Sequence, residues 1–383
     1  MRLALVTETY PPEINGVAMT LDRLARGLVS RGHEVQVIRP RQHDADIDSH
    51  SDGLAQVVVP GIGLPRYQGL HAGLPCKGRL IQLWGGDARP TVVHVATEGP
   101  LGWSALRAAN RLDLPVASSF HTNFHAYFRH YGAGLLKTAA LAYMRHFHNR
   151  TRVTMTPSAD QRDELMAAGF HNVTVLSRGV DGRLFDPQRR SAELRRAWGA
   201  ADDTPVVAYV GRIAPEKNIP LAVRAFQAMR QRNPALRFVL VGDGPARAEL
   251  EKRHGDFLFA GMQRGEDLAR HYASADILLF ASVTETFGNV VTEGMASGLC
   301  VVAYDYAAGR QHIISGTNGL LAPVDDADAF VQAALGAASD PQHARAIGQA
   351  ARQTALTITW DAIITRFEDL LTRAASDAQP VLA

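Results

Sequence analysis

Short apolar runs alternate with amphipathic helical stretches along nearly the whole chain, and this constrains the fold more than any other feature. LALV (3–6), EVQVIRP (34–40), AQVVVPG (55–61), TVVHVAT (91–97), PVASSFHT (115–122) and VTMTPS (153–158) read as strands in the first half. PVVAYVGR (205–212), RFVLVGDGP (237–245), DFLFAG (256–261), DILLFAS (276–282) and LCVVAYD (299–305) restart the pattern in the second. Continuous apolar runs of this length suit parallel strands buried on both faces. The stretches between them, such as 17–32, 100–112, 219–232 and 266–275, carry helical periodicity, and Gly32 closes the first. Strand–helix alternation predicts right-handed crossovers and an α/β architecture. At 383 residues the chain is long for a single core, so two doubly wound domains are expected. The polar stretch from Asp186-Pro187 marks the break. The expected bounds are 1–185, 186–358 and a final helical segment, 359–378.

Bulk properties exclude little but narrow the class. Net charge is +2, which selects no particular partner and gives no reason to expect nucleic acid. Charge is uneven, however. Residues 101–152 hold seven Lys or Arg against the single acid Asp113, together with five histidines. Such a stretch suits an anionic substrate or membrane surface. Its helical part, 135–152, is expected to be an ordinary surface helix or one that touches an anionic membrane. Cys76 and Cys300 make no disulfide framework, and a reducing compartment fits them best. No run approaches the roughly 20 apolar residues that span a bilayer. The N-terminus reaches Pro11-Pro12 too soon for a signal-peptide core. A cytoplasmic protein, peripheral to the inner membrane face at most, is expected.

Candidate chemistry gathers where strands end. Glu285 follows DILLFAS, and Glu293 stands eight residues on, about one turn into the helix expected over 289–297. Ligands of open α/β sheets bind at that edge. Two carboxylates there suit a ligand rich in hydroxyl groups, although a helix start also favours acids by itself. Gly211-Arg212 and Glu216-Lys217-Asn218 follow strand 205–210, so a guanidinium and an ammonium share that sheet edge. Together they suit a diphosphate; alone, Glu216 pairing with Lys217 on a solvated loop would explain them equally. Gly242-Asp243-Gly244-Pro245 is either a turn that admits a nucleotide or a plain tight turn. Asn15-Gly16 opens the first helix, where backbone N–H groups can receive phosphate oxygens. His121, with Thr122-Asn123-Phe124-His125, ends strand 115–120 and can donate to a substrate hydroxyl or serve structurally. His121 and His125 lack a third ligand in a metal-site spacing, so no metal is expected. The chain has no P-loop and no G-x-G-x-x-G after its first strand, which disfavours kinase-type and hydride-transfer chemistry.

Taken together, ETFGNVVTEGMASG, GRIAPEKN, VGDGP, SRGVD and SSFHTNF resemble the retaining glycosyltransferases of family 4 over nearly the whole chain. That resemblance implies the GT-B fold: two Rossmann-like domains, an interdomain cleft, and a C-terminal helix from Trp360 that crosses back to the N-terminal domain. It implies that Arg212 and Lys217 grip the donor diphosphate, Glu293 holds the ribose and Glu285 contacts the donor sugar. Gly16 would let the first helix approach the phosphates, and His121 would lie at the reaction centre. Arg178, Gly211, Gly242, Gly244, Phe287, Gly288, Asn289 and Val290 fall among the implied donor-binding positions. One departure is Asn15, since many members carry two glycines there. The similarity of SRGVD and HTNF points to a mannosyltransferase that uses GDP-mannose on a lipid or glycan acceptor, with no cofactor and no obligatory metal. UDP-sugar-dependent lipid glycosyltransferases of the sulfoquinovosyl or glucuronosyl type are the nearest alternative. A nucleotide-sugar-binding partner or sensor without catalysis is the other.

Overall fold

The computed structural model describes residues 1–13, 15–63, 71–121 and 135–376. Asn123, His125 and Arg129 lie outside the described residues, as does the side chain of Lys137. The chain divides into two compact units, Met1–Arg178 with Asp361–Ala383, and Gly179–Trp360.

The first unit is built from β1 (Arg2–Val6), α1 (Gly16–Ser30), β2 (Glu34–Pro40), β3 (Ser49–Ser51), β4 (Leu54–Val59), β5 (Gly61–Gly63) and β6 (His71–Gly73). These are followed by α2 (Lys77–Gly85), β7 (Val92–Val95), α3 (Pro100–Arg111), β8 (Val116–Ser119), α4 (Leu135–His148), β9 (Val153–Thr156), α5 (Ala159–Ala167) and β10 (Val173–Val175). Its main sheet runs β10-β9-β8-β7-β1-β2-β4-β3 and is parallel except where β3 pairs with β4. Strand order reverses between β1 and β7, so the crevice expected of such sheets opens at their carboxyl ends. Ala4 and Val6 pack with Val93 and Val95 in one apolar cluster under α2 and α3, which closes one face of the sheet. Helix α2 has no counterpart in the sequence expectations. Only Leu80 and Trp84 of KGRLIQLWG are buried, too few to show a periodic stripe.

The second unit contains α6 (Ala192–Ala197), β11 (Val206–Val210), α7 (Ile219–Arg232), β12 (Arg237–Val241), α8 (Arg247–Arg253), β13 (Leu258–Gly261) and α9 (Gly265–Ser274). It continues with β14 (Ile277–Phe280), α10 (Asn289–Ala296), β15 (Cys300–Tyr304), α11 (Ala308–His312), β16 (Leu320–Ala322), α12 (Ala327–Ser339) and α13 (Pro341–Ala355). The sheet is wholly parallel, in the order β13-β12-β11-β14-β15-β16. Val207 and Tyr209 of β11 enter one buried cluster, and Val206, Ala208 and Val210 enter another on the opposite face. That two-sided burial explains the unbroken apolar strands. The reversal point here lies between β11 and β14.

The last helix, α14 (Trp360–Ser376), belongs to the first unit from Asp361 onward. Arg31, just past the end of α1, bonds Glu368 at 2.8 Å and Asp361 at 2.6 Å, and His33 meets Glu368 at 2.7 Å. Ile364 lies so close to Gly27 that a Cβ at that glycine would stand 2.3 Å from its Cδ1. Packing of this kind, more than the half-exposed ion pairs, holds α14 in place. No helix among the described residues is long and apolar enough to cross a membrane.

Candidate active site

In the second unit the loops after β11 and β14 emerge side by side at the reversal point and are stitched together. Asn218, in a left-handed conformation at φ 52°, donates from Nδ2 to the Ala281 carbonyl at 3.3 Å. Thr284 Oγ1 donates to the Glu216 carbonyl at 3.0 Å. These bonds set Lys217, on the 3-10 turn Pro215–Lys217, against Glu285. Lys217 Nζ donates to Glu285 Oε1, which also accepts from Ser282 Oγ at 3.0 Å. Both side chains keep about a fifth of their exposure (21% and 22%), so the pair is reachable without being fully solvated. Arg212 stands more open and meets Glu216 at 3.3 Å. The local Glu216–Lys217 pairing considered from sequence is replaced by Glu216 with Arg212 and Lys217 with Glu285.

The glycines of the neighbouring turns have a reason that needs no ligand. Gly242 has φ 140°, and a Cβ there would stand 2.0 Å from the Gly211 carbonyl oxygen. A Cβ at Gly244 would stand 2.4 Å from the carbonyl oxygen of Ile213. Backbone bonds from Ile213 to Asp243 (2.9 Å) and from Ala246 to Ile213 (3.0 Å) hold the two turns together. Gly242 and Gly244 thus let one loop lie directly on another, with the Gly211 carbonyl as one of the groups they approach.

Gly288, at φ 93°, turns the chain into α10 beneath the Phe280 ring. Phe287 is buried beside it, and Val290 is half-buried one residue past the helix start. The buried Asn289 Oδ1 has no hydrogen-bond partner among the described residues. Glu293, at the fifth position of α10, accepts from Tyr272 Oη at 2.9 Å. Burial pushes its carboxyl up to about 7, and the tyrosine bond only partly offsets this. The residue as a whole is half-buried. Tyr272, the last aromatic of EDLARHYASA, was not anticipated; its place at the end of α9 gives no periodic signal. Ser282 and Thr284 were equally silent in the sequence.

In the first unit Asn15 caps α1, its Oδ1 accepting from the Val17 and Ala18 N–H groups at 3.1 and 2.9 Å. Gly16 follows, and a Cβ there would stand 3.2 Å from Nη1 of the buried Arg178. The bare glycine therefore admits the guanidinium to the helix start. Burial, followed by the Arg178 charge, holds the His121 imidazole well below the usual histidine range, so it is neutral. Neither of its ring nitrogens has a partner among the described residues. Gly16, Arg178 and His121 thus gather at one end of this unit. A further carboxyl, Glu8, follows β1 at the reversal point and takes a 3.3 Å bond from the Leu101 N–H. Burial raises it to about 7.

A cavity of about 370 Å³ in the second unit opens at the opposite sheet edge, by Pro205, Asp276 and Ile277, and none of the candidate residues lines it. Among the described residues no group of three or more His, Cys, Asp or Glu is arranged to hold a metal ion. The arrangement at the β11–β14 edge offers cations for spread negative charge and carboxylates for hydroxyl donors.

Comparison with known proteins gives the same assignment. Residues 14–183 match the family model described as Glycosyltransferase Family 4, and residues 204–340 match Glycosyl transferases group 1. A GDP-mannose-dependent alpha-mannosyltransferase of Mycolicibacterium smegmatis is 36% identical, over 97% of this chain and 98% of that protein. The sulfoquinovosyl transferase SQD2 of Arabidopsis thaliana is 29% identical, over 96% of this chain and 72% of that protein. The solved sucrose-phosphate synthase of Thermosynechococcus elongatus superposes with a TM-score of 0.80 at 21% identity, covering 97% of this chain and 98% of that one. The chain belongs to the family 4, group 1 glycosyltransferases, is a hexosyltransferase, and has their GT-B fold.

Proposed function

We propose that the protein is a retaining mannosyltransferase that moves mannose from GDP-mannose to a hydroxyl of a lipid or glycan acceptor. The observation that carries this is the Lys217–Glu285 pair at the β11–β14 reversal point, beside Arg212, in a chain 36% identical along its length to a GDP-mannose-dependent enzyme. Arg212 and Lys217 would take the donor diphosphate, Glu285 the sugar, and Glu293 the ribose hydroxyls. His121, Gly16 and Arg178 would be the first unit's residues for transfer. As the bond to the anomeric carbon breaks, negative charge grows on the diphosphate, and positively charged groups already in place stabilise it there. The sugar passes through a state with oxocarbenium character. Same-face attack by the acceptor hydroxyl, with the leaving phosphate taking its proton, retains the anomeric configuration. In this reading the side-chain cations take up that charge, and no obligatory metal or cofactor is expected.

A cytoplasmic protein that touches the membrane peripherally is part of the proposal. Exposed Arg145 and His146 on α4 support such contact. Flotation with anionic and neutral liposomes tests it, and failure to bind either removes it.

The 29% identity to SQD2 favours the UDP-sugar alternative as the second reading. A thermal-shift panel of GDP-mannose, UDP-glucose and UDP-glucuronate ranks the donors by mass action. Release of nucleoside diphosphate then reports turnover. Release with GDP-mannose alone is the expected result. Release with a UDP-sugar in its place replaces the donor assignment, and binding without release from any donor leaves a sensor rather than an enzyme.

A further inference from the structure

Strand β8 stops two residues before His121, and its last two side chains are buried serines, each bonded to a buried histidine. Ser119 Oγ lies 3.0 Å from His94 Nε2 on β7. Ser118 Oγ lies 2.9 Å from His148 Nδ1 at the end of α4, and 2.9 and 3.1 Å from the hydroxyls of Thr151 and Thr154. Alternation along the strand puts Ser119 toward one face and Ser118 toward the other, and His121 follows two residues past the strand end, near both His94 and His148. The Phe120 ring packs on His148, with centroids 5.4 Å apart. On the Ser119 face, the His94 ring meets Phe367 of α14 edge-on at 5.1 Å. A column of Phe367, His94 and Ser119 therefore backs the strand that presents His121.

This column is expensive to build. His94 Nδ1 is buried without a partner, like both nitrogens of His121. Each such group carries an uncompensated desolvation cost, whereas an apolar ring would fill the space around His94 without that penalty. A bare buried N–H costs more than a bare lone pair, so the preferred tautomer has Nε2–H of His94 donating to Ser119. The histidine thereby grips the strand with a directional bond that a phenylalanine lacks.

We propose that His94 is a positioning residue for His121, acting through Ser119 and backed by Phe367 of the C-terminal helix. The proposal rests on the reading of His121 as a reaction-centre residue. His94 itself touches no substrate. Its bond to Ser119 sets where the end of β8 lies, and hence where the His121 ring stands.

The test compares His94→Phe, His94→Gln and Phe367→Ala with Leu106→Ala, a core truncation in the same unit, at matched loss of Tm. His94→Phe and Phe367→Ala should lower kcat about tenfold with GDP affinity unchanged, while Leu106→Ala keeps kcat. His94→Gln, whose amide can donate to Ser119, should recover most of the rate. In ¹⁵N spectra, the His121 ring resonances should move in His94→Phe and stay near wild type in His94→Gln. Equal kcat in His94→Phe and Leu106→Ala, or His121 resonances that do not respond to His94→Phe, overturns the proposal. The spectra do not depend on turnover, so they test the positioning even if GDP-mannose proves not to be the donor.

Discussion

Lys217 Nζ and Glu285 Oε1 form one ion pair across two loops that are 68 residues apart in sequence. The pair bridges the ends of β11 and β14, the two strands between which the order of the second unit's sheet reverses. An ammonium held by a single carboxylate retains donors for a second anion, so an arriving diphosphate can share it without a large rearrangement. Lys217→Ala should lower the transfer rate about 100-fold, the scale for losing one preorganised donor at a developing charge. Glu285→Gln should weaken binding of the sugar nucleotide while leaving GDP affinity near wild type. Stopped-flow GDP release and calorimetry measure the two effects. A Lys217→Ala enzyme with a normal rate would refute the diphosphate role.

Glu293 gives the donor site a pH dependence of defined sign. Its carboxyl is raised to about 7 by burial. Ribose hydroxyls donate to the ionised form, so binding is favoured by deprotonation. GDP affinity should rise with pH toward 7 and level off above it, by up to about tenfold per pH unit on the acidic side. Partial exposure of the residue moves the onset toward lower pH without changing the one-proton slope. Glu293→Gln should flatten the curve and lower the plateau. Calorimetric titration between pH 5.5 and 8 decides; a wild-type curve as flat as the variant's rejects the ribose assignment.

Gly242→Ala probes the packing of the two turns without reference to any ligand. The residue sits at φ 140°, and the added methyl would meet the Gly211 carbonyl oxygen at 2.0 Å. Backbone cannot yield as a flexible side chain can, and strain at such a φ costs on the order of 1–3 kcal/mol before the clash is counted. Urea denaturation should show a loss of more than about 2 kcal/mol. A variant as stable as wild type would mean that the turns separate freely.

Much of the architecture was legible because its signals are local. Each central strand is an unbroken apolar run, and two-sided burial of β11 and β14 leaves no alternation to misread. Glu285 and Glu293 were visible as strand-edge carboxylates since strand β14 and helix α10 are both strongly patterned. Less visible was anything that depends on which loops meet. The partner of Lys217 is set by Asn218 reaching Ala281, and the partner of Glu293 by the end of α9. The glycines of VGDGP read as a nucleotide turn, whereas their close neighbour is the backbone of Gly211 and Ile213. Helix α2 and strands β3, β5, β6 and β16 escaped because three to nine residues with few buried positions carry no resolvable period.

Buried titratable groups also set how stability responds to acid. His94 and His148 are held at about 3 by burial alone. In the unfolded chain they take up protons near pH 6.5, so stability falls as pH drops from there toward 3, by about 1.4 kcal/mol per unit for each. Glu8 and Glu293, raised to about 7, act in the opposite sense. They are protonated in the fold but ionised in the unfolded chain above pH 4.5, so their contribution grows as pH falls from 7 to 4.5. The two pairs oppose each other between pH 4.5 and 6.5, but burial lowers His121, His271 and His312 as well, so the histidine effect prevails there and continues alone below 4.5. Urea midpoints should therefore fall from about pH 6.5 and drop more steeply below about pH 4.5. A His94→Gln/His148→Gln double variant, less stable at neutral pH, should lose less on further acidification. If both proteins lose stability in parallel below pH 4.5, the buried imidazoles are charged in the fold and the neutral network around β8 is wrong.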